Sequence, residues 1–557
     1  MNCLFGKFFW ANTKNSRLEQ EFNQFKNGLL DLNVERISSF DFDTTPYFYN
    51  KDTKILCVVV GYINNLDEIR IKYKIRNKND NEVIERLFSL KGKNAANELD
   101  GVFSVFIYDE NAEKAYLFQD EYGSNLPIYY VNSNKEFIFS TSLKVILKNV
   151  AIRKELDYAA VYDLLSFQTM IPNESTLIRD IYKLPPQKIM VFDFKYNSFK
   201  IEPLKRNEEK ISLSTAKVNL IKSIENNLAR LFKHITVERL ALALSSGYDS
   251  NFILFSLRKL TLNKIEAISV GGIKINEIPQ TKLIVDTYKN VVHNTKIIDS
   301  TAIDSFPDIV WRIEGYVSES GLFLQYELGK ILSERNINTI FLGECADQLL
   351  DSCRNSKLEK FKNIISTTII GDLYYLLFKK RRPEEWRILR PSSSLKKYQA
   401  QGNYDIEFDY ILKKNGIMLN SFGKQGLYVF INKETNLMSK ALGKLNVGKR
   451  YYKKQLKKLF EENIRKNISK DKIGGATDIG YLLDKRFEVI IKILQSDFVK
   501  KISSESQINM MCNNTRDNCE FILRIVYIYL FNELFISGKY DSRFDQNGID
   551  IPLSKFI

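Results

Sequence analysis

Two short stretches combine small residues, hydroxyl groups and carboxylates directly after apolar runs. The first is "ALALSSGYDS" at 241–250, and the second is "LGECADQLL" at 342–350. The apolar run before each predicts a β-strand, and "NFILFSLRKL" after the first predicts an amphipathic helix. A turn of small residues between a strand and a helix leaves backbone N–H groups that, with the helix dipole, favour phosphate. Each turn alone fits equally well a plain connection in which an Asp caps the helix.

The surrounding elements predict that these two turns meet. Strand-like runs alternate with helical runs from residue 239 onward, namely "RLALALS", "KIEAISV", "NTKIID" and "NTIFLG". This alternation predicts a parallel sheet with crossover helices, and ligands of such sheets collect at the carboxyl ends of the strands. We therefore expect Asp249, Glu344 and Asp347 around one pocket. Carboxylates beside a phosphate cradle suit Mg²⁺, which binds through one or two carboxylates plus phosphates.

The N-terminal half has a different pattern. Short strand-like runs follow one another between residues 55 and 200 and predict antiparallel sheets: "ILCVVVGYI", "GVFSVFIYD", "KAYLFQD", "PIYYV", "EFIFST" and "KIMVFDF". The polar stretch "KRNEEKISLS" reads as a linker, and the chain becomes largely helical from about residue 358. We therefore predict two domains, 1–205 and 211–557.

Composition limits the function classes. The 557 residues are 44% hydrophobic and 27% charged, as in a globular protein of two or more domains. The net charge of +15 suits anionic partners, although lysines dispersed among acidic residues also fit a solvated surface. The six cysteines have no metal-ligand spacing, which argues against a zinc site and favours a cytoplasmic location. The chain has only two histidines, which argues against a histidine-centred triad. The apolar stretch "FILRIVYIYLFNELFISG" carries Arg524, Asn532 and Glu533 and predicts a buried helix, not a membrane span.

Taken together, these stretches resemble the asparagine synthetase family. "LSSGYDS" is similar to its pyrophosphate loop, Ser-Gly-Gly-x-Asp-Ser, and "LGECADQLL" to its Ser-Gly-Glu-Gly-Ala-Asp-Glu-Leu-Phe motif. "KIGGATDIGY" at 472–481 resembles its C-terminal lysine segment. The amidotransferase-type domain is matched, in order, by "LDGVFSVFIYD", "DEYGSNLPIYY", "FIFSTSLKVIL" and "YKLPPQ". The resemblance implies an Ntn-hydrolase-like antiparallel sandwich followed by a parallel α/β synthetase domain of the PP-loop type with a helical C-terminal part.

The resemblance also implies a reaction and a set of site residues. The family's synthetase domain uses ATP and Mg²⁺ to convert a carboxylate into an acyl-adenylate, which an amine then attacks. Carried over, the pyrophosphate would be held by Ser245, Ser246, Gly247, Asp249 and Ser250. Asp249 and Asp347 would bind Mg²⁺, and Val270 and Gly343 would contact the adenosine. Glu344 would position the acyl-adenylate or the amine, and Lys472 would stabilise charge in the transition state.

The N-terminal domain departs from the glutamine-using pattern. Those members start Met-Cys-Gly-Ile, whereas this chain starts with Met1, Asn2 and Cys3. Val60-Gly61-Tyr62 replaces the family's Asn-Gly-Glu segment, and Asp80 is the residue that survives from the glutamine pocket. We therefore expect an inactive glutaminase. In the synthetase half, the family has Gly, Gly and Glu at the positions of Ser246, Cys345 and Gln348.

The leading hypothesis is ATP-dependent amide formation with an amine that does not come from glutamine, as in β-lactam synthetases and lasso peptide cyclases. It implies a small-molecule or peptide carboxylate substrate, and for a lasso-type cyclase a precursor peptide and a partner protease. Three alternatives remain: asparagine synthesis or sugar-acid amidation with ammonia or glutamine, a scaffold that has lost catalysis, and a tRNA-modifying relative. No RNA-binding module is recognised, so no nucleic acid partner is expected, and no membrane partner either.

Overall fold

The structure is a computed structural model of the chain. It describes residues 4–9, 47–76, 79–123, 126–133, 136–149, 152–167, 171, 174–196, 198–204, 210–233, 239–274, 276–350, 404–443, 448–468, 478–516, 518–538 and 548–556. Cys3 and Lys472, both singled out from the sequence, lie outside these ranges.

The N-terminal half is built from two antiparallel sheets. Its described strands are β1 Phe5–Phe9, β2 Tyr47–Asn50, β3 Ile55–Ile63, β4 Gly101–Asp109, β5 Lys114–Gln119, β6 Tyr129–Asn132, β7 Glu136–Ser140, β8 Tyr182–Lys183, β9 Lys188–Asp193 and β10 Ser198–Pro203. One sheet has the order β1-β7-β6-β8 and the other the order β10-β9-β5-β4-β3-β2. The predicted antiparallel arrangement is confirmed.

The two sheets face each other across an aromatic core. Phe106 of β4 stacks on Phe139 of β7 at 5.4 Å between ring centroids, and Phe137 packs edge-on against Phe192 at 4.7 Å. Since strand side chains alternate between faces, the even-numbered residues from Leu56 to Val60 point into this core. Cys57 belongs instead to a second cluster on the opposite face of the larger sheet. The result is a sandwich whose outer face is covered by helices.

The C-terminal half is centred on a parallel sheet. Its strands are β11 Leu240–Ala243, β12 Ile265–Gly272, β13 Val291–Ile298, β14 Thr339–Leu342 and β15 Gln425–Tyr428. Their order is β13-β12-β11-β14-β15, and each neighbouring pair is parallel, as the sequence predicted. The chain moves outward from β11 to β13, then returns to the other side of β11 at β14. The strand order therefore reverses between β11 and β14, the kind of position where α/β sheets bind ligands.

The described α-helices cover both halves. They are α1 Leu66–Tyr73, α2 Asp80–Lys91, α3 Leu143–Asn149, α4 Tyr158–Phe167, α5 Leu213–Lys233, α6 Tyr248–Leu260, α7 Ile278–Val285, α8 Phe306–Ile313, α9 Leu322–Glu334, α10 Ala346–Leu350, α11 Tyr404–Ser421, α12 Lys433–Gly443, α13 Gly448–Leu459, α14 Glu462–Asn467, α15 Ile479–Asp484, α16 Phe487–Leu494, α17 Asp497–Ile502, α18 Glu505–Asn513 and α19 Cys519–Phe531. The predicted helical C-terminal part is confirmed over the described residues.

Helix α19 lies in the largest hydrophobic core and is buried along most of its length, as the sequence predicted. That core also takes in Tyr129 and Ile138 of the sandwich, so the two halves share buried surface. Among the described residues, no helix combines the length and the apolar character that crossing a membrane requires.

A buried carboxylate in the C-terminal half binds several groups of the N-terminal half. Glu314 follows α8 and accepts hydrogen bonds from the Ser142 hydroxyl at 2.8 Å and from the Leu143 N–H at 2.5 Å, at the start of α3. The ammonium of Lys144 lies 3.3 Å from Glu314 Oε1, with both side chains at most 4% exposed. Burial lowers the pKa of Lys144, and Glu314 opposes that shift. The pair is stabilising only while both partners are present.

We predict that Glu314→Ala lowers the free energy of unfolding by about 3 kcal/mol, because it leaves the Lys144 ammonium buried and unpaired. Chemical denaturation followed by circular dichroism measures the change. Glu462→Ala is the matched control, since Glu462 forms an exposed pair with Lys466 and should cost less than about 1 kcal/mol. Adding Lys144→Met to Glu314→Ala should recover part of the loss. Equal losses for Glu314→Ala and Glu462→Ala would contradict this account of the junction.

Candidate active site

Side chains at the start of α6 hydrogen-bond to the backbone of the loop that follows β11. Helix α6 starts at Tyr248 with Gly247 in the N-cap position, so neither Ser245 nor Asp249 caps it. The Ser250 hydroxyl accepts the N–H of Ser245 at 3.1 Å, and Asn251 Nδ2 donates to the carbonyls of Ser245 and Gly247 at 3.0 and 2.6 Å. This network fixes the loop in the strand–turn–helix form that favours anions.

Asp249 and Asp347 do meet at the reversal point of the sheet. Asp249 is on α6, directly after β11, and Asp347 is on α10, directly after β14. The ammonium of Lys453 on α13 lies 3.0 and 2.9 Å from the two carboxylate oxygens of Asp249. The same nitrogen lies 3.4 Å from Asp347 Oδ1. One cation therefore bridges the two carboxylates that the sequence singled out as metal ligands.

The environment of Asp249 disfavours a bare negative charge. Burial raises the pKa of the Asp249 carboxyl, the Lys453 ammonium lowers it, and the nearby Asp347 raises it, with a net upward shift. The buried Tyr452 hydroxyl faces the same carboxylate, and burial together with Asp249 moves the pKa of Tyr452 well above its ordinary value. A positive partner is thus what this pair of acids requires.

Ser246, which stands where the family has Gly, is hydrogen-bonded to the connection that follows β12. Its backbone N–H and its hydroxyl both donate to Glu277 Oε2, at 2.7 and 2.9 Å. Glu277 immediately precedes α7, which follows β12. The Ser246 side chain is buried and engaged with this carboxylate. Nothing in the sequence singled out Glu277 as a partner of the loop.

The turn after β14 packs closely on the loop after β11. A Cβ atom placed on Gly343 would lie 3.3 Å from the backbone nitrogen of Ser250, a tighter approach than most side chains accept. Cys345 is buried and has a φ of 68°, in the left-handed region that favours glycine. The family's Gly at this position has a physical reason, and the Cys here carries strain. Glu344, between these two residues, is half-buried.

Val270, predicted to contact adenosine, lies near the carboxyl end of β12, beside β11. The structure thus brings the loop residues, Asp249, Asp347, Gly343 and Glu344 to one edge of the sheet, with Val270 on the neighbouring strand. Lys472 lies outside the described residues, so its predicted role stays a prediction.

Asp80, which we expect to survive from the glutamine pocket, and Tyr62, which replaces the family's Glu, both have partners elsewhere. Asp80, at the start of α2, pairs with Arg70 at 3.0 Å. The Tyr62 hydroxyl accepts the N–H of Tyr428 at 3.0 Å, so it bonds to the C-terminal half, and its side chain is 3% exposed. The backbone of Tyr62 also lies close to the neighbouring strand, because a Cβ on Gly101, the first residue of β4, would come within 2.3 Å of the Tyr62 carbonyl oxygen. Tyr62 is therefore a buried part of the contact between the two halves.

A divalent cation fits the donor set at the sheet edge. Two carboxylates converge on one point, where the Lys453 ammonium now stands, and Mg²⁺ in nucleotide sites uses one or two carboxylates with phosphate oxygens. Within the part of the chain that the structure describes, no cluster of three or more His, Cys, Asp or Glu side chains forms a metal site of its own. A metal held by Asp249 and Asp347 would need further oxygen ligands, such as those of phosphates.

Comparison with protein families matches both halves. Residues 15–202 match the glutamine amidotransferase domain, and residues 234–421 match asparagine synthase. The chain is 24% identical over 361 residues to the "Putative asparagine synthetase (glutamine-hydrolyzing) 2" of Methanocaldococcus jannaschii, covering 58% of this chain and 67% of that protein. It is 23% identical over 312 residues to asparagine synthetase (glutamine-hydrolyzing) 1 of Bacillus subtilis, covering 52% of this chain and 46% of that protein. The chain thus spans about two thirds of the first relative's length and about half of the second's.

Two solved structures also match part of the chain. The glutamine phosphoribosylpyrophosphate amidotransferase of B. subtilis, complexed with ADP and GMP, is 11% identical and covers 45% of this chain and 64% of its own, with a TM-score of 0.21. A structure titled the allosteric regulatory enzyme of purine biosynthesis is 9% identical and covers 46% and 63%, also with a TM-score of 0.21. Scores this low do not establish a common fold.

An amidotransferase-type sandwich followed by a parallel α/β domain, each half matching its own family model, defines a class of carbon–nitrogen ligases. The chain belongs to the asparagine synthetase family.

We predict that the strain at Cys345 shows in a pair of substitutions. Cys345→Gly should be more stable to unfolding than Cys345→Ala by roughly 0.5–1 kcal/mol, because glycine adopts a left-handed φ without the clash of a Cβ. Ala346→Gly is the control of opposite sign, since α10 begins there and glycine lowers helix stability. Thermal unfolding of the variants measures the differences. A Cys345→Ala variant as stable as Cys345→Gly would contradict a left-handed backbone at this residue.

Proposed function

We propose that this protein is an ATP-dependent ligase that activates a carboxylate as an acyl-adenylate and joins it to an amine that does not come from glutamine. The observation that carries the proposal is the meeting of Asp249 and Asp347 on one cation at the reversal point of the parallel sheet. Peptide or metabolite cyclisation is the reaction we favour, since it supplies carboxylate and amine in one substrate.

The chemistry needs charge stabilisation more than a protein nucleophile. A substrate carboxylate oxygen attacks the α-phosphorus of ATP, the bond to the β-phosphate breaks, and pyrophosphate leaves. The amine then attacks the acyl carbon, AMP leaves with the carboxyl oxygen, and one proton is released. Mg²⁺, held by Asp249 and Asp347, would offset phosphate charge.

The chain's own residues divide the remaining work. Ser245, Gly247 and Ser250 would hold the pyrophosphate at the start of α6, while Val270 and Gly343 would border the adenosine. Glu344 would position the acyl group or the amine, and Lys472 would balance the developing oxyanion.

Two residues of the N-terminal sandwich favour a nitrogen source other than glutamine. Tyr62 occupies the position of the family's Glu, and its hydroxyl is committed to the Tyr428 backbone. Asp80 is paired with Arg70. Both features favour an N-terminal half (residues 1–205) that keeps the amidotransferase fold without its glutaminase, next to a synthetase half that we place at 211–557.

A second candidate is glutamine-dependent asparagine synthesis, the activity for which the two relatives are named. Both candidates share the ATP site, and they differ in the carboxylate substrate and in the source of nitrogen. They are separated by assaying glutamine directly.

We predict saturable binding of Mg·ATP by isothermal titration calorimetry. Asp249→Asn and Asp347→Asn should each weaken it at least about ten-fold, because each removes one charged metal ligand. Asp497→Asn, at an exposed carboxylate on α17, is the matched control and should leave the affinity unchanged. No Mg·ATP binding by the wild type would support a scaffold that has lost catalysis and would contradict the proposal.

We also predict no release of glutamate from glutamine by the purified protein, with or without Mg·ATP, since the pocket residues are replaced or paired. A coupled glutamate dehydrogenase assay measures it, with Cys3→Ala as the control for nucleophilic attack. Glutamate release that Cys3→Ala abolishes would instead support the glutamine-dependent candidate.

A further inference from the structure

Lys453 is the one cation at the candidate metal position among the described residues, and the sequence did not single it out. Its ammonium contacts both oxygens of Asp249 and one oxygen of Asp347. The aromatic rings of Tyr248 and Tyr452 flank it, with their centroids 5.8 and 5.7 Å from the nitrogen. Four residues on the three helices α6, α10 and α13 therefore surround the Lys453 ammonium.

The bridge has a clear electrostatic reason. Two carboxylates brought together at a sheet edge repel each other, and a positive charge within 4 Å of both relieves that repulsion. The Lys453 side chain is 23% exposed, and those of Asp249 and Asp347 are 19% and 16% exposed. All three side chains thus keep a partly exposed surface, although the Asp347 Oδ1 atom itself is buried.

Divalent metal and Lys453 compete for the same oxygen atoms. A metal that arrives alone must displace the ammonium, which then loses two anionic partners and gains none. A metal that arrives with a triphosphate brings new anionic oxygens for the displaced ammonium, because the loop at 245–250 lies beside the same carboxylates.

We propose that Lys453 is a positioning residue that holds Asp249 and Asp347 in the nucleotide-free protein and makes metal binding depend on nucleotide. The ammonium occupies the metal position until a metal–triphosphate complex displaces it toward the phosphates. This inference rests on the proposed function for its nucleotide step, whereas its metal step is tested without nucleotide.

The test is a titration of nucleotide-free protein with Mn²⁺, followed by electron paramagnetic resonance, in which the signal of free Mn²⁺ falls on binding. Lys453→Met should bind Mn²⁺ at least about ten-fold more tightly than the wild type, because a competing charge about 3 Å away has been removed. Lys453→Arg keeps the charge and should stay close to the wild type.

Lys457→Met is the matched control. Lys457 lies one turn further along α13 with its nitrogen 5.7 Å from the Tyr248 ring, and the structure shows no contact of it with either carboxylate among the described residues. It should bind Mn²⁺ as the wild type does. Lys453→Gln repeats the test with a polar side chain should Lys453→Met fail to fold, as judged by thermal unfolding.

The same titration with ATP present measures the coupling. ATP should tighten Mn²⁺ binding more in the wild type than in Lys453→Met or Lys453→Gln, because only the wild type has an ammonium to transfer. Unchanged or weaker Mn²⁺ binding by both neutral variants without ATP would overturn the role of Lys453. A failure of ATP to bind the wild type would instead overturn the proposed function.

Discussion

Two carboxylates that meet at a sheet edge must be balanced by positive charge, and this constraint organises the C-terminal half. Asp249 and Asp347 come together because β11 and β14 are neighbouring parallel strands at the point where the strand order reverses. Lys453 reaches them from α13, more than 100 residues further along the chain from Asp347. The position that relieves their repulsion in the nucleotide-free protein is also the position that a metal would take.

Buried polar groups anchor the N-terminal sandwich to the C-terminal half. Glu314 connects its α3 to the synthetase half through a buried ion pair, and Tyr62 crosses the same boundary to the backbone at the end of β15. Asp100 lies at this boundary too, where its carboxylate accepts the N–H of Lys433, and burial raises its pKa to about 6. Buried polar contacts thus join the two halves at three separate places.

Much of this architecture was predictable from the sequence, for identifiable reasons. Strands such as β3 and β4 were found because their side chains alternate between two buried faces. The meeting of Asp249 and Asp347 followed from the rule that parallel strands end at a common edge. The family has Gly at the position of Cys345, and the left-handed φ of that residue gives the physical reason.

The contacts that complete the site could not be read in the same way. Lys453 is one of several lysines on α13, and only the packing of that helix against α6 and α10 selects it. Glu277 accepts hydrogen bonds from the N–H and the hydroxyl of Ser246. The two residues lie in different crossover connections that share no local motif. Local patterns carry periodicity and turn chemistry, whereas long-range pairing of charged side chains depends on tertiary geometry.

The most direct measurement of the central claim is a crystal structure with Mn²⁺ and a non-hydrolysable ATP analogue, in which anomalous scattering locates the metal. We expect a peak at coordination distance from carboxylate oxygens of both Asp249 and Asp347, with the triphosphate at the start of α6 and Lys453 moved off the pair. A nucleotide bound elsewhere, or Lys453 still bridging the carboxylates beneath the bound analogue, would contradict it.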